Sequence, residues 1–542
     1  MKRIFFLILF AIHVLASFGQ PKLVVGIVVD QMRHDYIQRY WNKFGNEGFK
    51  RLVNEGFSCN NTNYNYVPTF TGPGHASIYT GATPSVHGIV SNEWREKMTG
   101  DRIYCADDKS VTTLGGKSNA GQMSPKNLIT STVGEELRKA TNNASKVIGI
   151  ALKDRGAILP AGHKSTAAYW FDVSTGNWIS SSYYMKELPA WVNGFNKKES
   201  AKKYLTRQWS TLLPIELYTE SDADDNICEE SFKGKEKPVF PYDLPSLMKN
   251  NGSLGLIRST PFGNSFTKDF VLETIKNEKM GKGTVPDFLC ISFSSTDYIG
   301  HQFGPQSVEV EDCYLRLDKD IADFLKFMDE WVGKSNALVF LTSDHGASEA
   351  VPCLQKKNMY TGVIHEKAIS DSLKKFLLRT YKDTLMVIVN DFDVYFDRKK
   401  IELKKYDIQE IRQSVAGYLP SLKGIAYAIS SDKIQEDRLS SPGRWEQDTI
   451  HLKVKAGFYS ERSGDVTFVL KHGWLQGYEK GTSHGSPYKY DTHVPLIWWG
   501  HTVSYGSTEE DLTITQIAPT VSDILKIPVP NGCTTKAIQL VK

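Results

Sequence analysis

The sequence predicts an α/β fold built around a mostly parallel sheet. Three observations predict it: continuous apolar, β-branched runs; the abrupt polar endings of those runs; and amphipathic helical stripes between them. Leu23 to Val29 is the first run and ends at Asp30. Lys146 to Leu152 is followed by Lys153, Asp154 and Arg155. Asp287 to Phe293 precedes Asp297, Ala337 to Leu341 precedes Asp344 and His345, and Val494 to Trp499 closes the series. Runs without apolar/polar alternation suit strands buried on both faces of a parallel sheet. The segment from Ser307 to Trp331 carries Val310, Tyr314, Leu317, Ile321, Phe324 and Met328 at helical spacing. Ile129 to Ala140 and Thr515 to Leu525 also read as helices. In open α/β sheets ligands bind beyond the carboxyl ends of the strands, so the polar residues that end these runs are expected to meet there.

The remaining chain divides around this core. Residues 1–19 have the layout of a secretory signal peptide: Lys2 and Arg3, an apolar run from Ile4 to Ala16, then small residues Ser17 and Gly19. That run is too short for a comfortable membrane span, so the mature chain is expected off the membrane, in the periplasm or outside the cell. Residues 20–160, 254–349 and 480–542 read as the catalytic core. Residues 161–253 and 350–479 fit the strand–helix alternation poorly and read as insertions that cap the active edge.

Bulk composition excludes some function classes. With 542 residues, 40% hydrophobic and 23% charged, the chain can bury a large core. Its formal charge of +4 is too small to indicate nucleic acid as a specific partner. The seven cysteines are scattered and form no CxxC pair, so zinc-finger spacing is absent and disulfide pairing is left open.

Six residues carry metal-binding chemistry: Asp30, Asp297, His301, Asp344, His345 and His484. Asp297 and His301 are four apart, so one helical turn points both the same way. Asp344 and His345 are adjacent at a strand end, and His484 sits in the flexible Gly481-Thr482-Ser483-His484-Gly485. Imidazole and carboxylate are the ligands of catalytic zinc, and two ions with three protein ligands each need six. Manganese or cobalt would accept the same donors. Taken singly, each residue reads better as a cap, a salt-bridge partner or a core histidine; their local motifs together favour a site. Thr71 lies in the turn-rich Val67 to His75 segment before an apolar helical run. It therefore stands near a helix N-terminus, where an alkoxide or phosphate is favoured.

These motifs, together with Gln516-Ile517-Ala518-Pro519-Thr520, resemble the alkaline phosphatase superfamily. Within it they resemble the nucleotide pyrophosphatase/phosphodiesterase-like branch, and most of all the PafA-type bacterial alkaline phosphatases, from Val24 to about Thr534. The resemblance implies a three-layer α/β/α sandwich and two zinc ions. Asp297, His301 and His484 would hold the first ion. Asp30, Asp344 and His345 would hold the second, which also contacts Thr71. It implies that Thr71 is the nucleophile, that Asn92 donates to a phosphoryl oxygen, and that Lys153 and Arg155 hold the remaining oxygens. His493 competes with His484 as the last ligand; the Thr-x-His-Gly setting favours His484.

The activity expected is hydrolysis of small phosphate monoesters by a monomeric enzyme through a phosphothreonine. Two extra cations beside two metal ions favour the doubly charged monoester over a diester. A phosphodiesterase or nucleotide pyrophosphatase using the same metals is the alternative. A third reading is a non-catalytic glycan- or phosphate-binding protein whose aromatic-rich insertions stack on sugars. A sulfatase is disfavoured because Thr71 stands where that nucleophile motif needs Cys or Ser.

Overall fold

β1 (Leu23–Val29) can sit at the centre of the molecule because both of its faces are apolar. Leu23, Val25, Ile27 and Val29 point into one core, and Val24 and Val28 into another on the opposite side. The computed structural model describes residues 19–385, 387–434 and 445–540, so the expected signal segment, save Gly19, lies outside the described residues. Six more strands matter here: β2 (Val147–Ala151), β3 (Ala167–Asp172), β4 (Asn177–Ser181), β5 (Asp287–Phe293), β6 (Ala337–Thr342) and β7 (Leu496–Gly500). The main sheet has ten strands. Its order is Gly506–Thr508, Phe57–Cys59, β7, β6, β1, β5, β2, β3, β4 and Thr113–Leu114. The five from β6 to β3 are parallel, with Val25 opposite both Leu289 and Val339.

Alternate residues of β5 and β6 divide between the same two cores as those of β1. Helices Phe262–Asn277 and Val308–Trp331 cover one face. α1 (Thr71–Thr80), Val133–Ala140 and Ile517–Leu525 cover the other. The result is the expected three-layer α/β/α sandwich. The fifth expected strand differs in direction: β7 runs antiparallel to β6. Its apolar run is as unbroken as the others because it too is buried on both sides, and burial does not encode direction.

The expectation that residues 161–253 form one capping insertion needs correction. β3 pairs in parallel with β2, and β4 pairs with β3, so the first twenty residues of that stretch extend the main sheet. The rest wraps the core face: Leu188, Val192, Phe195, Trp209 and Tyr242 join the same cluster as Val25. Trp170, Trp178 and Trp209 are fully buried, so these three rings offer no stacking surface to a glycan. The residues were aromatic because they seal a large core, not because they meet ligand.

Residues 350–479 do build a separate unit. A four-stranded antiparallel sheet, ordered Ile388–Asn390, Asp393–Tyr395, Val466–Leu470 and Ile425–Ser430, packs with helices Glu366–Tyr381 and Ile408–Tyr418. Its core, including Leu373, Val394, Val415 and Phe468, is distinct from the two beside the main sheet.

Candidate metal-dependent active site

The carboxyl ends of the parallel strands bring together what the sequence scatters. Asp30 directly follows β1. Asp297 and His301 lie on α3 (Ser295–Phe303), which leaves β5. Asp344 and His345 follow β6, and Lys153 caps α2 (Asp154–Ala161), which leaves β2. All are buried except His301, which is part-exposed. On α3 the four-residue spacing does what it promised, placing His301 Nε2 3.2 Å from Asp297 Oδ1. His484 arrives from its loop with Nε2 3.7 Å from the same oxygen.

The three imidazoles share one orienting device. His301 Nδ1 lies 2.7 Å from the carbonyl of Thr482, His345 Nδ1 2.9 Å from that of Gly346, and His484 Nδ1 2.7 Å from that of Thr69. A carbonyl only accepts, so each Nδ1 carries the hydrogen and each Nε2 presents a lone pair to the cluster. Burial pushes His345 down to about 3. Burial, aided by His345 and His301, holds His484 well below the usual imidazole range. Both are therefore neutral, as a ligand must be. Burial opposes protonation of His301, but Asp297 outweighs it and shifts His301 upward.

The carboxylates are crowded. Burial, with the charges of Asp297 and Asp344, pushes Asp30 well above the usual carboxylate range. Burial pushes Asp344 up to about 7 against the pull of Lys153. Burial also acts upward on Asp297, but His301 and Lys153 win and hold it well below. Asp30 Oδ1, Asp344 Oδ2 and His345 Nε2 are buried without a hydrogen-bond partner. Buried acceptors left without donors are costly unless a cation meets them, so this donor set fits divalent metal ions. Two groups of donors lie close enough for one ion each: Asp297, His301 and His484, and Asp30, Asp297 and His345. The second group differs from the expected Asp30, Asp344 and His345. Asp344 Oδ2 lies 3.7 Å from His345 Nε2 and 3.4 Å from His75 Nδ1.

Thr71 is the first residue of α1 and is almost wholly buried. Its Oγ1 is 3.3 Å from Lys153 Nζ. Lys153 also lies 2.6 Å from both Asp30 Oδ2 and Asp297 Oδ2, so its ammonium sits within the acidic cluster and not only on the pocket wall, as its expected role implied. Burial and Arg155 pull its pKa down, but Asp297 and Asp30 outweigh them and raise it. Gly74 lets α1 close onto the cluster, since a Cβ there would stand 2.4 Å from the carbonyl of Asp344.

The sequence matches the type I phosphodiesterase / nucleotide pyrophosphatase family over residues 24–494. The chain belongs to that family, within the alkaline phosphatase superfamily. It is 45% identical to the alkaline phosphatase PafA of Elizabethkingia meningoseptica, over 96% of this chain and 94% of that protein. It is 44% identical to the alkaline phosphatase PhoV of Synechococcus elongatus, over 96% and 92%. A Myroides odoratus protein named a calcium-transporting ATPase is 45% identical, over 96% and 95%. The crystal structure of wild-type PafA superposes with a TM-score of 0.91 at 44% identity, covering 96% of this chain and 98% of that one. Among the described residues, no helix is long and apolar enough to cross a membrane.

A cavity of about 690 Å³ is lined by Thr71, Asn92, Lys153, Arg155, Asp297, His301 and His484, and the unit at 350–479 adds Asp391, Phe392 and Tyr478. Asn92 Oδ1 accepts the Gly72 N–H at 2.8 Å, so its NH₂ is the group left to donate inward. Arg155 is held along the wall by Tyr104, to whose hydroxyl its Nη1 donates at 3.1 Å; Tyr104 in turn donates to Asp154. Phe70 stacks on Phe392, and Tyr478 stacks on His301. His493 is elsewhere: it stacks on His34, with Nε2 2.8 Å from the carbonyl of Asn60, and belongs to neither donor group.

Two residues escaped the sequence reading. Gln31 donates its backbone N–H to Asp344 Oδ1 at 3.1 Å and its side-chain Nε2 to Asp297 Oδ1 at 2.8 Å, from a left-handed backbone with φ of 63°. Its position next to Asp30 was the only signal, and composition does not reveal a left-handed glutamine. His75, four residues after Thr71 on α1, spans the Thr71 carbonyl and Ser292 Oγ at 2.9 and 3.0 Å; burial pushes it down to about 3. The helical spacing from Thr71 was legible, but the partner on β5 was not.

Proposed function

We propose that the chain is a zinc-dependent phosphate monoester hydrolase, an alkaline phosphatase that works through a phospho-Thr71 intermediate after export from the cytoplasm. One observation carries the reading: a buried threonine hydroxyl at the start of a ten-residue helix, 3.3 Å from Lys153 Nζ, abuts a cluster of carboxylates and imidazoles in which Asp30 Oδ1, Asp344 Oδ2 and His345 Nε2 have no hydrogen-bond partner among the described residues. Divalent ions held by Asp297, His301 and His484 and by Asp30, Asp344 and His345 would supply the charge that makes a hydroxyl acidic and steadies a departing oxygen. Thr71 Oγ1 attacks phosphorus in line, a Thr71–phosphate bond forms, and the bond to the leaving oxygen breaks. Water then cleaves the phosphothreonine and releases inorganic phosphate. The positive end of the α1 dipole favours both the alkoxide and the phosphoryl group. The Asn92 NH₂ and the Arg155 guanidinium hold non-bridging oxygens, and Lys153 lies close enough to Thr71 to meet a third.

A solved variant of PafA, similar to this chain at a TM-score of 0.90, carries changes at a threonine, an asparagine, a lysine and an arginine, the last two separated by one residue as Lys153 and Arg155 are. That set of residue types supports the reading. The disulfide Cys228–Cys353 supports export, since such bonds persist in oxidising compartments. The ATPase name of the Myroides relative also denotes transfer of a phosphoryl group to water.

The aromatic wall of Phe70, Phe392 and Tyr478 favours one second reading, a diesterase whose second ester group packs there. Hydrolysis of an aryl monophosphate against a bis-aryl phosphate separates the two. Faster monoester turnover, lost on chelation and restored by zinc, is expected; faster diester turnover sinks the proposal.

A further inference from the structure

The disulfide Cys228–Cys353 is the one disulfide among the described residues, and it lies away from all three large cores. We infer that it is a positioning element of the metal site at Asp297, His301 and His484, holding in place the loop that carries His484 and orients His301. The inference rests on the metal-dependent reading of that site.

Three segments meet at the bridge. The Cys228 carbonyl accepts the N–H of Gly481 at 2.7 Å, and Glu230 N–H donates to the Gln302 carbonyl at 2.9 Å, so this segment grips both α3 and the loop carrying His484. Cys353 lies on helix Val351–Lys356, just beyond Asp344 and His345, and Ser348 N–H donates to the Ser483 carbonyl at 3.2 Å. The loop 481–484 is therefore held between the two bridged segments. It packs so closely on α3 that a Cβ at Gly481, whose φ is 67°, would stand 1.9 Å from the His301 carbonyl. Thr482 of this loop supplies the carbonyl that fixes the His301 tautomer.

Hydrogen bonds more than apolar packing hold the arrangement: Thr482 N–H donates to the His301 carbonyl at 3.3 Å and the Gln302 side-chain amide to the Glu230 carbonyl at 3.2 Å. The apolar cluster around the bridge consists of Cys228, Ala350 and Cys353 alone. A region with so few apolar contacts opens locally at lower cost than the cores beside it. Opening the bridge therefore frees the loop before it melts the sandwich. The first consequence is a misplaced Thr482 carbonyl, a wandering His301 and His484, and a weaker grip on one ion.

The rival account is a general staple that closes a long loop in the unfolded chain; the separation is 125 residues. Zinc release tests the two. The zinc-loaded full chain, the same chain reduced with a phosphine, and the Cys228→Ser/Cys353→Ser variant are each mixed with a chromophoric chelator. Circular dichroism follows the fold in parallel. One of two release phases is expected to quicken about 10-fold in both altered forms, the scale seen when a group orienting a ligand is lost, with the other phase and the spectrum unchanged. Unchanged release overturns the inference. Equal quickening of both phases, melting on reduction, or a variant that cannot fold assigns the bridge to the staple and overturns it as well. A native chain that takes up no zinc at all overturns the proposed function first, and the two failures are thereby told apart.

Discussion

Gln31→Ala should weaken metal binding without unfolding the protein. The side-chain amide donates to Asp297 Oδ1 at 2.8 Å, and Asp297 belongs to both donor groups. A hydrogen bond to a charged acceptor contributes about 1.5–3 kcal/mol. Loss of a group that orients a metal ligand typically lowers affinity about 10–100-fold, or about 1.4–2.8 kcal/mol, so the two scales agree. Gln31→Gly isolates the contact from the backbone. A non-glycine residue in the left-handed region costs about 1–2 kcal/mol, whereas glycine costs about 0.5–1 kcal/mol in chain entropy. At the observed φ of 63°, the glycine variant should therefore be more stable than the alanine variant by about 0.5–1 kcal/mol, with equal loss of affinity. Competition with a chelator of known affinity gives the first quantity, and urea unfolding of the metal-free variants the second. Wild-type affinity in either variant would refute the reasoning, and so would a glycine variant that recovers binding.

Other substitutions test the rest of the site. Thr71→Ala should lower kcat/KM by about 10⁴-fold or more and abolish phosphate incorporation into the chain, read by mass spectrometry after an acid quench. Lys153→Ala leaves Asp297 as a buried charge without its ammonium partner and Asp30 without its donor. The metal-free protein should lose about 3–5 kcal/mol, and saturating zinc should restore most of it, as thermal melts with and without metal would show. Asp391, whose carboxylate accepts from Ser91 Oγ at 2.7 Å, is pushed up to about 7 by burial, with Glu366 and Glu93 adding to the shift. A raised carboxyl contributes stability at low pH and loses it as pH rises through the folded value. The unfolding free energy should therefore fall between pH 5 and pH 8 by on the order of 2 kcal/mol more in wild type than in Asp391→Asn, as urea unfolding at each pH would show; parallel profiles would exclude the assignment. Exhaustive chelation should abolish turnover, and zinc alone should restore it.

What the sequence disclosed follows from which interactions are local. Strands buried on both faces leave unbroken apolar runs, so β1, β5 and β6 were legible to within a residue. Polar residues at strand ends gave the donors for the same reason. Direction leaves no such trace, and β7 was assigned to the sheet but not to its antiparallel place. Aromatic richness proved ambiguous: Trp178 and Trp209 seal a core, whereas Phe392 and Tyr478 face the pocket. The disulfide could not be read either, because 125 residues separate two cysteines that only the loop at 481–484 brings into register.

The histidines of the centre are steered by peptide oxygens belonging to Thr482, Gly346 and Thr69. Every amino acid supplies such an oxygen, so a change of side chain at Thr482 or Thr69 leaves it in place as long as the main chain holds, whereas at Gly346 a Cβ would stand 2.1 Å from the Tyr490 carbonyl and force the chain to move. Inheritance of this centre therefore depends less on guarding three particular codons than on preserving the path the polypeptide takes around it. Sequence drift at Thr482 or Thr69 can be tolerated where a small insertion nearby cannot.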